Sequence, residues 1–310
     1  MREYVIIADV TCDLSESIRE EFGISDYIRG HINFSDGRDF PTTLDWSHIT
    51  REDFYKTLSN RKMEVTTAPA SPEEYYNTFS KYAKAGIDVL SMSISSQISS
   101  TYQVTVQAAN RVMQEYPDSK IYCLDSYKMS GAFGLLVMKA FSMKNEGCSM
   151  DQVAQWLEDN KHFVHQMGPI DDLIFVARRG RITMGKAIMG SFAGVKPMGD
   201  CTREGYVSVL TKAKGMNKAL DLTVRYVDKA ISEQGRKFVL ICHSNRFEYA
   251  QKLKEMLHEK LHIEQVYVSD VFCACGPHIG PGMVAVYFFG DELSEGLVKE
   301  KELMNSLVNG

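Results

Sequence analysis

Short runs of β-branched and aromatic residues alternate with longer stretches of helical periodicity along this chain, and that alternation restricts the fold more than any other feature. Strands are predicted at Tyr4 to Asp9, Tyr27 to Phe34, Val89 to Ile94, Ile121 to Asp125, Leu173 to Ala177, Tyr206 to Leu210, Phe238 to His243, Val266 to Ser269 and Met283 to Phe289. Helices are predicted between them, at about 50–60, 72–85, 100–116, 131–146, 149–165, 216–234, 246–260 and 292–307. Strands separated by helices of a dozen residues imply crossover units and a largely parallel sheet, at least in the first half. The class is α/β. Ser71-Pro72-Glu73-Glu74 carries the chemistry of a helix start, with a capping serine, a proline in the first turn and acids at the positive helix end.

With 310 residues the chain is about two domains long. Its character changes after Asp171, where Arg178-Arg179-Gly180-Arg181 leads into a Gly- and Met-rich stretch, so a boundary is expected near residue 165. The two α/β domains, 1–165 and 166–310, are expected to pack directly and to leave a ligand cleft between them. The charge balance is 35 minus 40, or -5, which makes the surface as a whole a poor attractor of nucleic acid or anionic lipid headgroups. Seven cysteines, an odd number spread over a chain large enough to hold its own core, indicate reduced thiols and a cytoplasmic location. The N-terminal residues do not read as a signal peptide, and no apolar run reaches the roughly 20 residues of a membrane span.

In an open α/β sheet, ligands sit beyond the carboxyl ends of the strands. Here those ends are rich in hydroxyls. The first strand runs into Asp9-Val10-Thr11-Cys12-Asp13, the third into Ser95-Ser96-Gln97-Ile98-Ser99-Ser100-Thr101-Tyr102, and the fourth into Asp125-Ser126. Val65 to Ser71 forms another such turn before a helix. Any one of these loops reads equally as a helix cap, but together they describe an anion cradle. Neither GxxxxGK[ST] nor a GxGxxG after the first strand is present, which argues against nucleotide sites of those kinds. GxSxG is also absent. His278, ahead of Ile279-Gly280-Pro281-Gly282, and His243 with Ser244 are candidate proton carriers, each with a purely structural alternative. Cys273, Cys275 and His278 make only part of a metal site, and no metal is expected. Met184, Met189, Phe192 and Met198, interleaved with Gly185, Gly190, Gly194 and Gly199, read either as a buried helix or as the wall of an apolar pocket.

These motifs, in order, resemble the bacterial DegV family over nearly the whole chain. Asp9-Val10-Thr11-Cys12-Asp13-Leu14 is similar to the family's D-S-T-x-D-L opening, and Thr66-Thr67-Ala68-Pro69-Ala70-Ser71 to its T-S-Q-P-S loop. Ser95 to Tyr102 resembles S-S-G-L-S-G-T-Y, and Asp125-Ser126 with Ser130 to Gly134 resembles the next element. Asp172-Leu173, Gly180-Arg181-Ile182, Lys196-Pro197 and His278 to Gly282 complete the series. The resemblance implies two α/β domains with one long-chain fatty acid between them, and no further cofactor. It implies that Thr66, Ser95 and either Ser96 or Thr67 bond the carboxylate, with His278 near the head group. It also implies that Arg178 or Arg181 lies at the pocket mouth, where a fatty acid kinase subunit docks and forms acyl phosphate, so that the chain is no enzyme by itself. Arg179 replaces a family glycine, Gln97 and Ser100 replace glycines of the serine loop, Ala68 replaces a glutamine, and Leu210 stands where an arginine is expected. The competing reading is an enzyme acting on a small anionic metabolite, with His278 as general acid or base. A third is a regulatory protein whose arginine cluster docks a partner.

Overall fold

The computed structural model of the protein describes residues 2–60, 62–183 and 194–309. The chain opens with β1 (Tyr4–Asp9), α1 (Glu16–Phe22) and the short β2 (Tyr27–Ile28). A detour follows through β3 (His31–Phe34), β4 (Asp39–Pro41), α2 (Arg51–Ser59) and β5 (Val65–Ala68). Then α3 (Pro72–Lys84) leads into β6 (Asp88–Ser93), and α4 (Thr101–Glu115) into β7 (Ile121–Asp125). Two helices come next, α5 (Ser130–Asn145) and α6 (Met150–Asn160). After them the chain runs through β8 (Val164–Met167), α7 (Leu173–Arg178), β9 (Ile182–Thr183), β10 (Val195–Cys201), β11 (Val207–Lys214) and α8 (Met216–Ala230). It ends with β12 (Phe238–His243), α9 (Phe247–Leu261), β13 (Gln265–Asp270), α10 (Gly276–Ile279), β14 (Val284–Phe289) and α11 (Val298–Asn309).

The first sheet has the order β2-β1-β6-β7 and is parallel throughout, with Ile6 opposite Leu90 and Leu90 opposite Tyr122. Both of its faces are covered, which is why the body of β1, Tyr4 to Ala8, reads as a continuous apolar run. The second sheet, β13-β12-β14-β8, mixes one parallel pair with two antiparallel ones. Two smaller sheets, β4-β3-β5 and β10-β11-β9, flank these. The boundary expected at residue 165 falls inside β8.

Between the large sheets lies α5, whose sequence SGAFGLLVMKAFSMKN is apolar nearly all round because nearly every side of it is buried. It contacts β1 as well as β8, β12 and β14. Two glycines permit that approach. A Cβ at Gly131 would lie 2.4 Å from Cδ2 of Tyr287 and 2.7 Å from the Cys242 sulfur, and one at Gly134 would lie 2.3 Å from the Cys12 carbonyl oxygen. The two halves share one continuous core, running from Tyr4 to Leu297. A polar joint supplements it. Asp13, buried at a positive φ of 50°, accepts hydrogen bonds from the Ser130 hydroxyl and from the Phe272 backbone N–H at 2.9 Å. Its own carbonyl accepts the Ser269 hydroxyl at 2.6 Å. Burial raises the Asp13 carboxyl to about 7, against the pull of those donors.

Several elements differ from the sequence-based expectation, each for a local reason. Leu173 to Ala177 is helical, because the Asp172 carboxylate caps the Phe175 N–H at 2.9 Å. The strand expected over 27–34 breaks at Gly30, where a Cβ would meet the Ala68 carbonyl oxygen at 2.5 Å, and its two halves join different sheets. The helix expected over 149–165 stops at Asn160, and one 3-10 turn turns the chain into β8. The turn expected over 65–71 begins as β5, and the strand β10 was not foreseen. The helix over 72–85 forms as expected, with Ser71 and Glu74 completing a reciprocal capping box.

Two measurements check this architecture. Gly131→Ala is expected to destabilise the protein by about 1–3 kcal/mol through overpacking, read as a lower urea midpoint; an unchanged midpoint would place α5 further from β14. Asp13 ionises near 4 in an unfolded chain and near 7 here, so the folded state holds the extra proton between those values. Stability owed to Asp13 therefore falls as pH rises from about 4 to about 7. Asp13→Asn should remove that fall, seen as a wild-type minus variant difference that shrinks over this range.

Candidate functional site

Beyond the carboxyl ends of β1 and β6 lies a cavity of about 300 Å³. Its walls come from all four sheets. Asp9 and Ile94 follow the strands of the first, Thr67 and Ala68 come from β5, Ala285 and Tyr287 from β14, and Pro197, Met198, Val207 and Val209 from the β10–β11 pair. Most of the surface is apolar, with Ile28, Ile98, Met129, Ile170, Val176 and Met283 contributing. The β10–β11 pair closes one side. Its register slips between Met198 and Gly199, which leaves Leu210 as the extra residue of a bulge, partly buried against the core.

The polar groups gather where helices begin. Ser99, Ser100 and Thr101 stand at the amino end of α4, and Met129 and Ser130 at that of α5. Neither helix has a side-chain cap or an acid in its first turn. By contrast, α3 and α6 carry complete capping boxes. Apart from the Thr101 N–H, which Ser99 Oγ accepts at 3.2 Å, the amino ends of these two helices carry no side-chain cap and border one cavity. Asp9 sits between them. Its carboxyl accepts the Thr11 N–H and hydroxyl and the Ile94 N–H at 2.8 Å, while burial raises its pKa.

Opposite them, His278 of α10 lies with Nε2 2.7 Å from Oγ1 of Thr67. The ring is half-buried, and its Nδ1 is buried with no hydrogen-bond partner among the described residues. Burial, with the nearby charges of Arg181 and Arg179, lowers the His278 pKa to about 4, so the imidazole is neutral at neutral pH. Arg181 lines the cavity, and the Arg179 guanidinium stacks 5.5 Å from the Phe175 ring centroid.

The structure brings together some of the residues expected from sequence and separates others. Thr67, His278 and Arg181 share the cavity. Thr66 does not line it, because alternation along β5 turns it outward, opposite Asn33. Ser95 is buried and donates its hydroxyl to the Gly205 carbonyl at 2.8 Å, pinning the tip of the β10–β11 hairpin. Ser96 lies outside the wall too, its N–H bonded to the Asp125 carboxylate at 3.2 Å. Arg178 is exposed at the end of α7. His243 is buried away from the cavity, 3.4 Å from Asp270, a carboxylate that also accepts the Trp46 N–H. Burial raises the Cys273 thiol to about 12 and Cys275 well above the ordinary value, and Cys275 donates to the Thr11 carbonyl. Met184, Met189 and Phe192, with Gly185 and Gly190, lie outside the described residues, whereas Met198 and Gly199 line the cavity. Ser99, Thr101 and Ser130 also line the cavity and were not singled out from sequence, although their place at the first turns of α4 and α5 was a usable signal.

Comparison with known proteins agrees with the architecture. A curated DegV domain-containing protein of Clostridium perfringens is 31% identical over 291 residues, covering 94% of this chain and 99% of its own. Among solved structures, a DegV lipid-binding protein from Thermotoga maritima superimposes with a TM-score of 0.80 at 21% identity, over 94% of this chain and 99% of the other. A fatty-acid-binding DegV family protein from Thermus thermophilus gives 0.78 at 26% identity, over 94% and 100%. The Fatty Acid Kinase B3 protein of Streptococcus pneumoniae, solved with linoleic acid, gives 0.78 at 18% identity, over 93% and 100%. The family model described as "Uncharacterised protein, DegV family" matches residues 3–291, and the chain belongs to the DegV family.

Proposed function

We propose that this protein binds a long-chain fatty acid in the cavity, with the two halves, 1–165 and 166–310, closing around it, and presents the carboxylate to a separate kinase subunit in the cytoplasm. The observation that carries this reading is the polarity of the cavity: an apolar chamber with hydroxyls and two uncapped helix ends gathered at one side. That combination suits a carboxylate with an apolar tail. The relatives solved with fatty acids support it.

In this reading Thr67 is the first ligand. With Nε2 protonated, the neutral His278 ring donates to Thr67 Oγ1 and frees the threonine hydroxyl to donate to the carboxylate. Of the mutually bonded hydroxyls of Ser99 and Thr101 one adds a donor, and the α4 and α5 dipoles favour the anion. Arg181 and Arg179 set a positive mouth at which a kinase subunit docks. Each buried methylene contributes about 0.8 kcal/mol, so a tail of a dozen carbons outweighs the head group in affinity, while the head group fixes register. The residues at the head group bind rather than attack, so phosphoryl transfer is the partner's chemistry.

Native mass spectrometry followed by organic extraction tests the reading. About one fatty acid per chain is expected. Thr67→Val should weaken binding of a free fatty acid by about tenfold to a hundredfold, the worth of one hydrogen bond to a charged group. Undiminished affinity would remove Thr67 from the site, and a protein that takes up no fatty acid would return the cavity to a small anionic metabolite.

A further inference from the structure

A second polar cluster lies behind the wall of the cavity. His165 of β8 is buried, and both of its ring nitrogens meet acceptors. Nδ1 lies 2.7 Å from Oδ2 of Asp200, and Nε2 lies 2.8 Å from the backbone carbonyl of Asp291. A neutral imidazole has one N–H and can satisfy one such contact. Both are hydrogen bonds only when a proton lies on Nε2 and a second between Nδ1 and Asp200. That second proton belongs to the ring, because the carboxylate already accepts three other donors: the backbone N–H groups of Gln166 and Cys201, each at 2.7 Å, and the Tyr226 hydroxyl at 2.8 Å.

Asp200 is in β10, and β10 with β11 closes the ligand cavity. Gln166, whose N–H Asp200 holds, lines that cavity as well. Oδ1 of Asp200 takes the place that a strand carbonyl would occupy, joining β10 to β8 where backbone pairing is reduced to the Pro169–Met198 bridge and the bond from the Ile170 N–H to the Pro197 carbonyl.

We propose that His165 is a positioning residue: its imidazolium, held between Asp200 and the Asp291 carbonyl, keeps the β10–β11 pair shut over the cavity, and loss of that proton loosens the pair and speeds ligand release. The release half rests on the fatty-acid reading; the closure half does not. The groups around the ring are Asp200 of β10, Tyr226 of α8 with Glu300 of α11 near it, the Phe288 ring of β14 stacked at 5.3 Å, and Lys128 ahead of α5. The Lys128 amine is buried with no hydrogen-bond partner among the described residues, and it opposes the imidazolium. On its other side His165 reaches the floor of an open cleft of about 790 Å³, where Arg203, Lys229 and Lys299 face Glu204, Glu292 and Glu295, which gives the proton a route to solvent. Burial alone lowers a histidine pKa, but Asp200 reverses this and the net shift is upward. The stabilisation is therefore complete below about 6.5, the unfolded value, and is lost as pH rises through the higher folded value.

Hydrogen–deuterium exchange of the full chain, without added lipid, tests the closure. After correction for intrinsic exchange, opening of residues 195–214 should increase about tenfold between pH 7 and pH 9, while β1 and β6 keep their protection. His165→Gln should show the looser state at both values. A pH-independent hairpin, or a variant retaining the wild-type dependence, overturns the proposal. Should the variant not fold, nitrogen-15 chemical shifts of His165 in the wild-type protein decide: a doubly protonated ring at pH 7 is expected, and a neutral one overturns it. The dissociation rate of bound oleate should rise about tenfold over the same range, and a flat rate beside a loosening hairpin overturns the link to release. A chain that takes up no oleate removes the proposed function, and closure is then decided by exchange and the nitrogen shifts alone.

Discussion

Right-handed crossovers in a parallel sheet send each strand's carboxyl end and the following helix's amino end to the same edge. The site depends on that constraint. It delivers Asp9, Ile94 and the starts of α4 and α5 to one place, although they are far apart in sequence. Each helix start carries N–H groups that have no partner within the helix. In α3 and α6 capping boxes satisfy two of them, whereas α4 has only the Ser99 hydroxyl on its first N–H and α5 has no side-chain cap. The hydroxyls of Ser99, Thr101 and Ser130 line the same edge. A cavity so built is polar at one side by backbone geometry, before any charged side chain is considered.

The opposite wall follows from a different constraint, close packing around a helix with no exposed face. Because α5 lies between both large sheets, its first turn must approach β12 and β14 at Gly131, and that brings Tyr287 and Ala285 to the cavity. The same packing commits the two halves to one core, so a cavity between them cannot open by simple separation without exposing apolar surface. The β10–β11 pair is held partly by packing, with Met198, Cys201 and Ala213 in the cores, and toward β8 by a small set of polar contacts that can change without separating the halves. Its tip is held by Ser95, its middle by Asp200, and it otherwise reaches β8 through sparse backbone pairing.

The α/β class and the central strands of the two large sheets were legible because a strand buried on both faces is written as a largely apolar run, as in Tyr4–Asp9 and Phe238–His243. β10 was illegible for the opposite reason. VKPMGDC contains a lysine, a proline, a glycine and a buried aspartate, none of which marks a strand, and its partner carries a bulge. Among the site residues, choosing Thr67 over Thr66 needs the register of β5 against β3, which a two-threonine pair does not encode. Ser95 was a reasonable ligand from its loop alone. Its hydroxyl is engaged by Gly205, 110 residues away, through a hairpin the sequence did not announce. Asp172 was quoted within a motif, yet the five apolar residues after it suggested a strand; a cap can redirect so short a run.

One departure from the family pattern, Arg179, adds charge beside His278. Arg179 stands where the pattern has glycine, lies over Phe175, and joins Arg181 in pushing the His278 pKa down. A neutral His278 changes what the interior can select. An imidazolium would hold a carboxylate by charge at close range, in a low-dielectric site where the attraction is strong and release slow. A neutral ring, its one N–H donated to Thr67, acts only through the threonine hydroxyl. The charge then resides on guanidinium groups at an exposed mouth, where water and salt weaken it. On the proposed reading, such a mouth would favour an ionised head group over an alcohol, ester or aldehyde of the same chain length, without holding it too tightly for release. On that reading two interactions of different range would divide the work: the arginines would discriminate by charge on approach, and the hydroxyl cradle would fix position once the tail is buried.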